Sequence, residues 1–362
     1  MEISLPTNYY LKSISVTNFR AFKSINIPKL KRLNVIGGFN GSGKTSLLET
    51  IFFALDVKNP IAVVKPLLWR NLPSSGSDDI GILLKDPSGQ GEIDADTRDG
   101  GLRIQIEHMY APAAVHQSLS AKLGQNNFQS GSDIASTPKG LDLHTFLDGR
   151  REQSVFVLPE NDGFAANVYK NSTRQSPNAQ IMGNVVRANP SELAQRVSVV
   201  IKSRRIKELI EFVSVIQPKI QNLQVLQFNN GSNVYAEMLN GELLPVQFLG
   251  EGFQSLLSVG AGMIGVSGGL LLLDEIDHTL HHSTLSKVWS EISALAVREN
   301  CQLFVTSHSK EAIMSLAAGV FASGNEKDFQ YIRLESLQDK HQAITYDMAD
   351  VQSAEEYNIE IR

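Results

Sequence analysis

The stretch that decides the fold is Gly38-Phe-Asn-Gly-Ser-Gly-Lys44-Thr45. It satisfies the spacing G-x-x-x-x-G-K-[ST], and its flanks supply the context that motif needs. Ahead of it Leu33-Asn-Val-Ile36 reads as a short apolar strand; behind it Leu47, Leu48, Ile51, Phe52 and Leu55 recur at helical spacing. Strand, glycine loop and helix in that order build an anion cradle. Gly38, Gly41 and Gly43, with Asn40 and Ser42 between them, let backbone N–H groups turn inward, and the helix N-terminus adds partial positive charge toward Ser46. Lys44 is placed to bridge β- and γ-phosphates, and Thr45 to hold Mg2+ through its hydroxyl. ATP and Mg2+ are the expected ligands.

Such a loop needs a second strand that ends in a carboxylate. Leu270-Leu-Leu-Leu273 is that strand, because four consecutive apolar residues suit a parallel strand buried on both faces. Asp274 at its carboxyl end is the Mg2+ carboxylate, and Glu275 polarises the attacking water. The acids and histidines that follow admit two readings. Asp277, His278, His281 and His282 include an i, i+4 histidine pair with zinc-capable spacing, or they are surface or dimer-facing side chains. His308 follows a separate apolar strand, Leu303 to Thr306. It either reaches the γ-phosphate or is incidental to a turn in which Ser307 or Ser309 caps the next helix.

Outward from these motifs the chain alternates. Residues 251 onward read as helix, strand 270–273, helix 283–298, strand 302–306, helix 309–317 and strand 329–334, an α/β pattern. Residues 80–109 read as antiparallel hairpins, 223–248 as a meander around Asn229-Asn-Gly231 and Asn240-Gly241, and 191–216 as one helical block. Residues 117–140 and 171–180 are polar and aperiodic, and read as insertions. The expected division is 1–110, an N-terminal ATPase lobe; 111–222, a polar and helical lobe; 223–335, a C-terminal ATPase lobe; and 336–362, a tail.

Composition bounds the function. In 362 residues the formal net charge is −5, which argues against coating nucleic acid or an anionic membrane through bulk charge. A single cysteine, Cys301, rules out an intrachain disulfide and fits a reducing compartment, so the cytoplasm is expected. No apolar run approaches the roughly 18 to 20 residues of a membrane span.

Taken together, Asn18-Phe-Arg20, Gly38 to Thr45, Leu271-Leu-Leu-Asp-Glu275 and Thr306-Ser-His308 resemble the ABC-type ATPases that are not transporters. That group includes RecF, the SMC relatives and the ATPase domain of the overcoming-lysogenisation-defect nucleases. The resemblance covers residues 11–55 and 190–335 and implies a P-loop fold with an ABC-type head, an antiparallel β subdomain and a helical lobe. It also implies a homodimer or higher oligomer, in which a loop of one protomer closes over the phosphate loop of the other. Leu249-Gly-Glu-Gly-Phe-Gln254 resembles that loop in its Gly-Glu-Gly form, so Gly250, Glu251 and Gly252 are nucleotide-binding candidates, without the serine of transporters. Val266-Ser-Gly-Gly269 lies too close to Asp274 and serves as a turn.

By the same resemblance Asn18 and Arg20 approach the nucleotide phosphates, although Arg20 reads equally as a hairpin surface charge. Gln153 is the candidate for the glutamine that couples Mg2+ to the helical lobe. Members of the group work beside a separate nuclease or Toprim protein, often in phage defence. Residues after 335 are too few for a Toprim domain, so the effector is expected on another polypeptide. The alternative is a RecF-like, ATP-gated DNA clamp using Lys202, Arg204, Arg205 and Lys207, a run that reads otherwise as a solvated helix.

Overall fold

The computed structural model describes residues 9–56, 59–65, 67, 79–111, 139–160, 163–171, 176–182, 189–229, 231–275, 282–338, 340–357 and 359–361. Most of the 117–140 insertion, Asp277, His278 and His281 lie outside them; His282 opens a helix, but its side chain is not described.

The glycine loop joins two different sheets. Strands β1 (Leu11–Phe19) and β2 (Phe22–Ile27) belong to a seven-stranded antiparallel sheet with β4 (Gly91–Thr97), β5 (Gly100–Tyr110), β6 (Lys139–Leu147), β7 (Arg150–Glu160) and β8 (Gly163–Lys170), in the order β2-β1-β4-β5-β6-β7-β8. Strand β3 (Leu33–Gly37) enters a six-stranded sheet with β9 (Ala179–Met182), β13 (Leu270–Leu273), β14 (Gln302–Thr306), β15 (Phe329–Leu337) and β16 (Lys340–Tyr346). Its order is β16-β15-β3-β14-β13-β9, parallel except for the β15/β16 hairpin. A three-stranded meander, β10 (Ile220–Phe228), β11 (Gly231–Met238) and β12 (Leu243–Pro245), completes the β structure among the described residues.

Helix α1 (Lys44–Leu55) lies between the two sheets and is buried nearly all round, as a helix without a polar face must be. Its Leu47, Leu48 and Ile51 share a core with Ile14 and Val16 of the antiparallel sheet and with Ile36, Leu270, Leu272 and Phe304 of the parallel one. The opposite face of the parallel sheet, carrying Val35, Leu271, Leu273 and Val305, packs on α2 (Pro190–Lys202), α3 (Ile206–Val213), α4 (Glu251–Gly265), α5 (His282–Arg298), α6 (Lys310–Ala322) and α7 (Met348–Glu356). The period of two sends alternate leucines of β13 into the two cores, which is why that strand reads as an unbroken apolar run.

Gln302, fully buried, joins the sheets. Its Oε1 accepts from Leu11 N at 2.8 Å, and its Nε2 donates to the carbonyls of Leu11 at 2.7 Å and Lys31 at 2.9 Å.

Several sequence expectations change. The block 191–216 is two helices. Asn189 caps the first, with Pro190 at its start, and Arg204 breaks the run at φ +61°. Residues 179–182, the first two of which read as the end of the 171–180 insertion, form β9, paired in register with β13 and burying Met182. The division at residue 110 cuts a continuous ladder, since β5 and β6 pair from Leu102/Leu147 to Tyr110/Lys139. Residues 336–362 are no separate tail: β16 pairs with β15, and α7, opened by an Asp347/Asp350 capping box, packs beside it.

Candidate functional site

Three strand ends of the parallel sheet meet at the N-terminus of α1. β3 delivers the glycine loop, β13 delivers Asp274 and Glu275, and β14 delivers Thr306 and, two residues on, His308. Carboxyl ends of adjacent parallel strands are where open α/β sheets bind ligands. A cavity of about 620 Å3 lies there, lined by Ala21, Asn40, Gly41, Gly43, Lys44, Thr45, Ser46, Glu275 and His308. A larger concavity of about 820 Å3 sits on the outer face of the antiparallel sheet, near Asn26, Asp94 and Arg103, and contains no residue of the loop. The functional groups, not the volume, mark the site.

Two glycines are obligatory by geometry. Gly38 has φ +135°, and a Cβ there would stand 2.4 Å from the Leu334 carbonyl oxygen. Gly43 has φ +96°, and a Cβ would stand 2.7 Å from the Phe22 ring. Gly43 also occupies the N-cap of α1 and so brings no side-chain cap, which leaves the first-turn N–H groups facing the cavity. Lys44 Nζ donates to the carbonyls of Gly38 at 2.8 Å and Phe39 at 3.0 Å, arching over the loop. Ser42 Oγ is buried without a hydrogen-bond partner among the described residues.

The acids are held from behind. Thr45 Oγ1 lies 3.1 Å from Asp274 Oδ2. Thr306 Oγ1 donates to Asp274 Oδ1 at 2.5 Å and accepts from Glu275 N at 2.9 Å. Glu275 takes φ +54°, unusual outside glycine, and its Oε1 lies 2.8 Å from His308 Nε2. A carboxylate only accepts, so this contact puts the proton on Nε2. The capping alternative holds at the same time: Ser309 accepts from Ala312 N and caps α6, while His308 faces the cavity.

Asn18 and Arg20 are corrected. Asn18 (φ +49°) spends its amide on the 86–90 turn, donating to Asp86 O and Gln90 O and accepting from Asp86 N. Arg20 Nε and Nη2 donate to Glu49 Oε2 at 3.0 and 2.6 Å, with both side chains nearly buried. Neither lines the cavity; Ala21 does. Gln153 sits in β7 opposite Thr145, within the antiparallel sheet rather than in a loop. Gly250, Glu251 and Gly252 do not line this chain's cavity either. They form the start of α4, where Gly250 at φ +90° is the N-cap and Glu251 is exposed.

The roles of two groups escaped the sequence reading. Thr306 carried a usable signal, a polar residue closing an apolar strand beside the Asp274 strand. Glu49 carried none, because its meaning lies in Arg20, 29 residues away.

The comparisons agree with this geometry. A family model described as "AAA domain, putative AbiEii toxin, Type IV TA system" matches residues 33–315. An ATP/GTP phosphatase of Helicobacter pylori is 21% identical over 350 residues, spanning 89% of this chain and 90% of its own. The DNA replication and repair protein RecF of Clostridium tetani matches locally, 44% identical over 45 residues and 12% of each chain. Among solved structures, an Smc head bound to the C-winged helix domain of ScpA is similar with a TM-score of 0.50 at 14% identity, covering 95% of this chain and 99% of that one. An Smc head with an extended coiled coil, bound to the C-terminal domain of ScpA from Pyrococcus furiosus, gives 0.50 at 13% identity over 97% and 100% of the two chains. Among the described residues, no helix is long and apolar enough to cross a membrane. The chain belongs to the AAA-domain family of that description and is an ATP hydrolase, a P-loop ATPase of the ABC type that is like SMC heads in fold and like RecF over one local stretch.

Proposed function

We propose that this ATPase binds Mg·ATP between two protomers and uses slow hydrolysis to control a separate effector, a nuclease or Toprim protein, in bacterial phage defence. The carrying observation is the convergence of Lys44, Thr45, Glu275 and His308 on one cavity, with Asp274 at 3.1 Å from Thr45. The donors fit the metal. A hydroxyl and a carboxylate are hard oxygen ligands, and Mg2+ takes few such groups from the protein when phosphates supply the rest. The buried Ser42 hydroxyl and the uncapped start of α1 supply donors for the phosphate oxygens. Bound there, Mg2+ would neutralise charge on the phosphates. Lys44 shares that task from the loop, Glu275 accepts the proton of the attacking water, and His308 keeps Glu275 turned into the cavity.

Dimerisation is supported by what one chain leaves exposed. Phe39 in the glycine loop is 65% exposed, and Phe248, two residues before Gly250, is 78% exposed. Large apolar side chains at both places mark an association surface. The start of α4 lies outside the cavity of its own chain, which leaves its N–H groups free to serve the nucleotide of another copy. The AbiEii description of the family supports a defence role.

The test is to prepare Glu275→Gln and Lys44→Ala. Glu275→Gln should dimerise on ATP and retain a stoichiometric protein from host lysate that survives nuclease treatment; Lys44→Ala should do neither. Identical assembly of the two variants refutes the switch. A second reading, the DNA clamp, is favoured by the exposed Lys202, Arg204 and Lys207 and by the local RecF match, although Arg205 is committed to Glu208 and Glu299. DNA affinity that appears only with ATP and falls with salt would establish it instead.

A further inference from the structure

Asp274 and Glu275 are held by a residue that does not itself line the cavity. Thr306 closes β14 with 0% exposure, in register with Ile36 at the end of the glycine-loop strand. Its hydroxyl has one proton, spent on Asp274 Oδ1, and one of its lone pairs accepts Glu275 N–H. The first bond fixes the plane of the Asp274 carboxylate and leaves Oδ2 toward Thr45. The second satisfies the amide of a residue whose left-handed φ of +54° takes it out of the sheet ladder. Two residues on, His308 grips the side chain of the same Glu275. One strand end therefore clasps the Asp-Glu pair at a carboxylate, a backbone amide and a side chain.

We propose that Thr306 is a positioning residue for hydrolysis, orienting the metal carboxylate and the water-polarising carboxylate relative to each other. The inference rests on the roles given above to Asp274 and Glu275. Valine keeps the branched shape and the strand preference of threonine but can neither donate nor accept. Serine keeps the hydroxyl.

The experiment compares Thr306→Val, Thr306→Ser and Thr306→Ala in steady-state ATPase assays, in binding of a fluorescent ATP analogue with and without Mg2+, and in thermal melts. A hydrogen bond to a charged group carries enough to lower kcat roughly 10- to 100-fold in Thr306→Val, with KM for ATP little changed because the glycine loop is intact. Analogue affinity without Mg2+ should match the parent, while the Mg2+ concentration for half-maximal effect rises; Thr306→Ser should restore both. If Thr306→Val does not fold, Thr306→Ala against Thr306→Ser gives the same comparison. Parent-like kcat and Mg2+ response in the valine variant overturn the inference. So does a loss of Mg2+-free affinity that tracks a lowered melting temperature, which would make the role purely structural. Asp274→Asn and Glu275→Gln, run in parallel, separate the two layers. Parent-like hydrolysis in both sinks the assignment of the acids, whereas their loss beside an active Thr306→Val sinks only the positioning role.

Discussion

Replacing Arg20 by methionine separates the resemblance-based expectation from the structure. The resemblance sends this guanidinium to the nucleotide; the structure gives it to Glu49, one turn past Ser46 on α1, through two hydrogen bonds to the same oxygen. The side chains are 7% and 4% exposed, so solvent screens the pair little. Removing one partner of a buried pair leaves a desolvated charge and costs about 3 to 5 kcal/mol. At ~2 °C per kcal/mol for a chain of this size, the melting temperature should fall by about 6 to 10 °C. Removing both charges in Arg20→Met/Glu49→Met should recover most of the loss, because two apolar groups of similar volume need no desolvation. Thermal melts of the parent, both single variants and the double variant close the cycle, and ATPase kinetics on the same preparations read the nucleotide site. A parent-like melt for Arg20→Met accompanied by a raised KM for ATP would refute the reasoning and return Arg20 to the phosphates.

Three further outcomes follow from particular contacts. Gly38→Ala should cost about 1 to 3 kcal/mol from backbone strain alone and should weaken nucleotide binding, since its Cβ meets the Leu334 carbonyl; unchanged nucleotide affinity and melting would contradict the φ of +135°. Arg205→Met should cost about 1 to 3 kcal/mol in a denaturant titration, because Glu299, 2% exposed, loses two hydrogen bonds that tie α3 to the end of α5 and keeps, among the described residues, only Arg298 at 3.7 Å. Burial pushes the Cys301 thiol up to about 12 from its ordinary value of 9.0. The unfolded chain then sheds this proton first, so stability should fall as pH rises from about 9 toward 12. Desolvation and the bond to Asp142 raise the Tyr169 phenol and act in the same direction. A thiol reagent should label native Cys301 at the rate of global unfolding, and faster labelling would show that the residue is not buried.

Much of the site was legible because its chemistry is local. A glycine loop announces itself where strand, turn and helix are consecutive, so Gly38 through Ser46 needed no tertiary information. The run Leu270 to Leu273 ending in Asp274 and Glu275 was readable for a similar reason: a strand covered on both faces has no room for polar residues, and the first acid marks where it leaves the core. The strand 302–306 and helices α4 to α6 were placed within a few residues by the same periodicity. Less readable were the edges. The strand 179–182 was missed, its first two residues falling in the polar 171–180 stretch, because a four-residue edge strand carries too little pattern to outvote its surroundings.

What only the tertiary structure decided is which partner each polar side chain takes. Asn18 went to a distant turn, Arg20 to Glu49, Gln302 to the backbone of β1, and Thr306 to the amide and carboxylate of a neighbouring strand. Each pairing spans 29 residues or more along the chain. Backbone conformation and apolar burial are written in short windows of sequence, because sterics and the 2.0 and 3.6 residue periods act between near neighbours. A buried hydrogen bond depends on distance and direction at the scale of ångströms, and those exist only once the sheets have packed on α1.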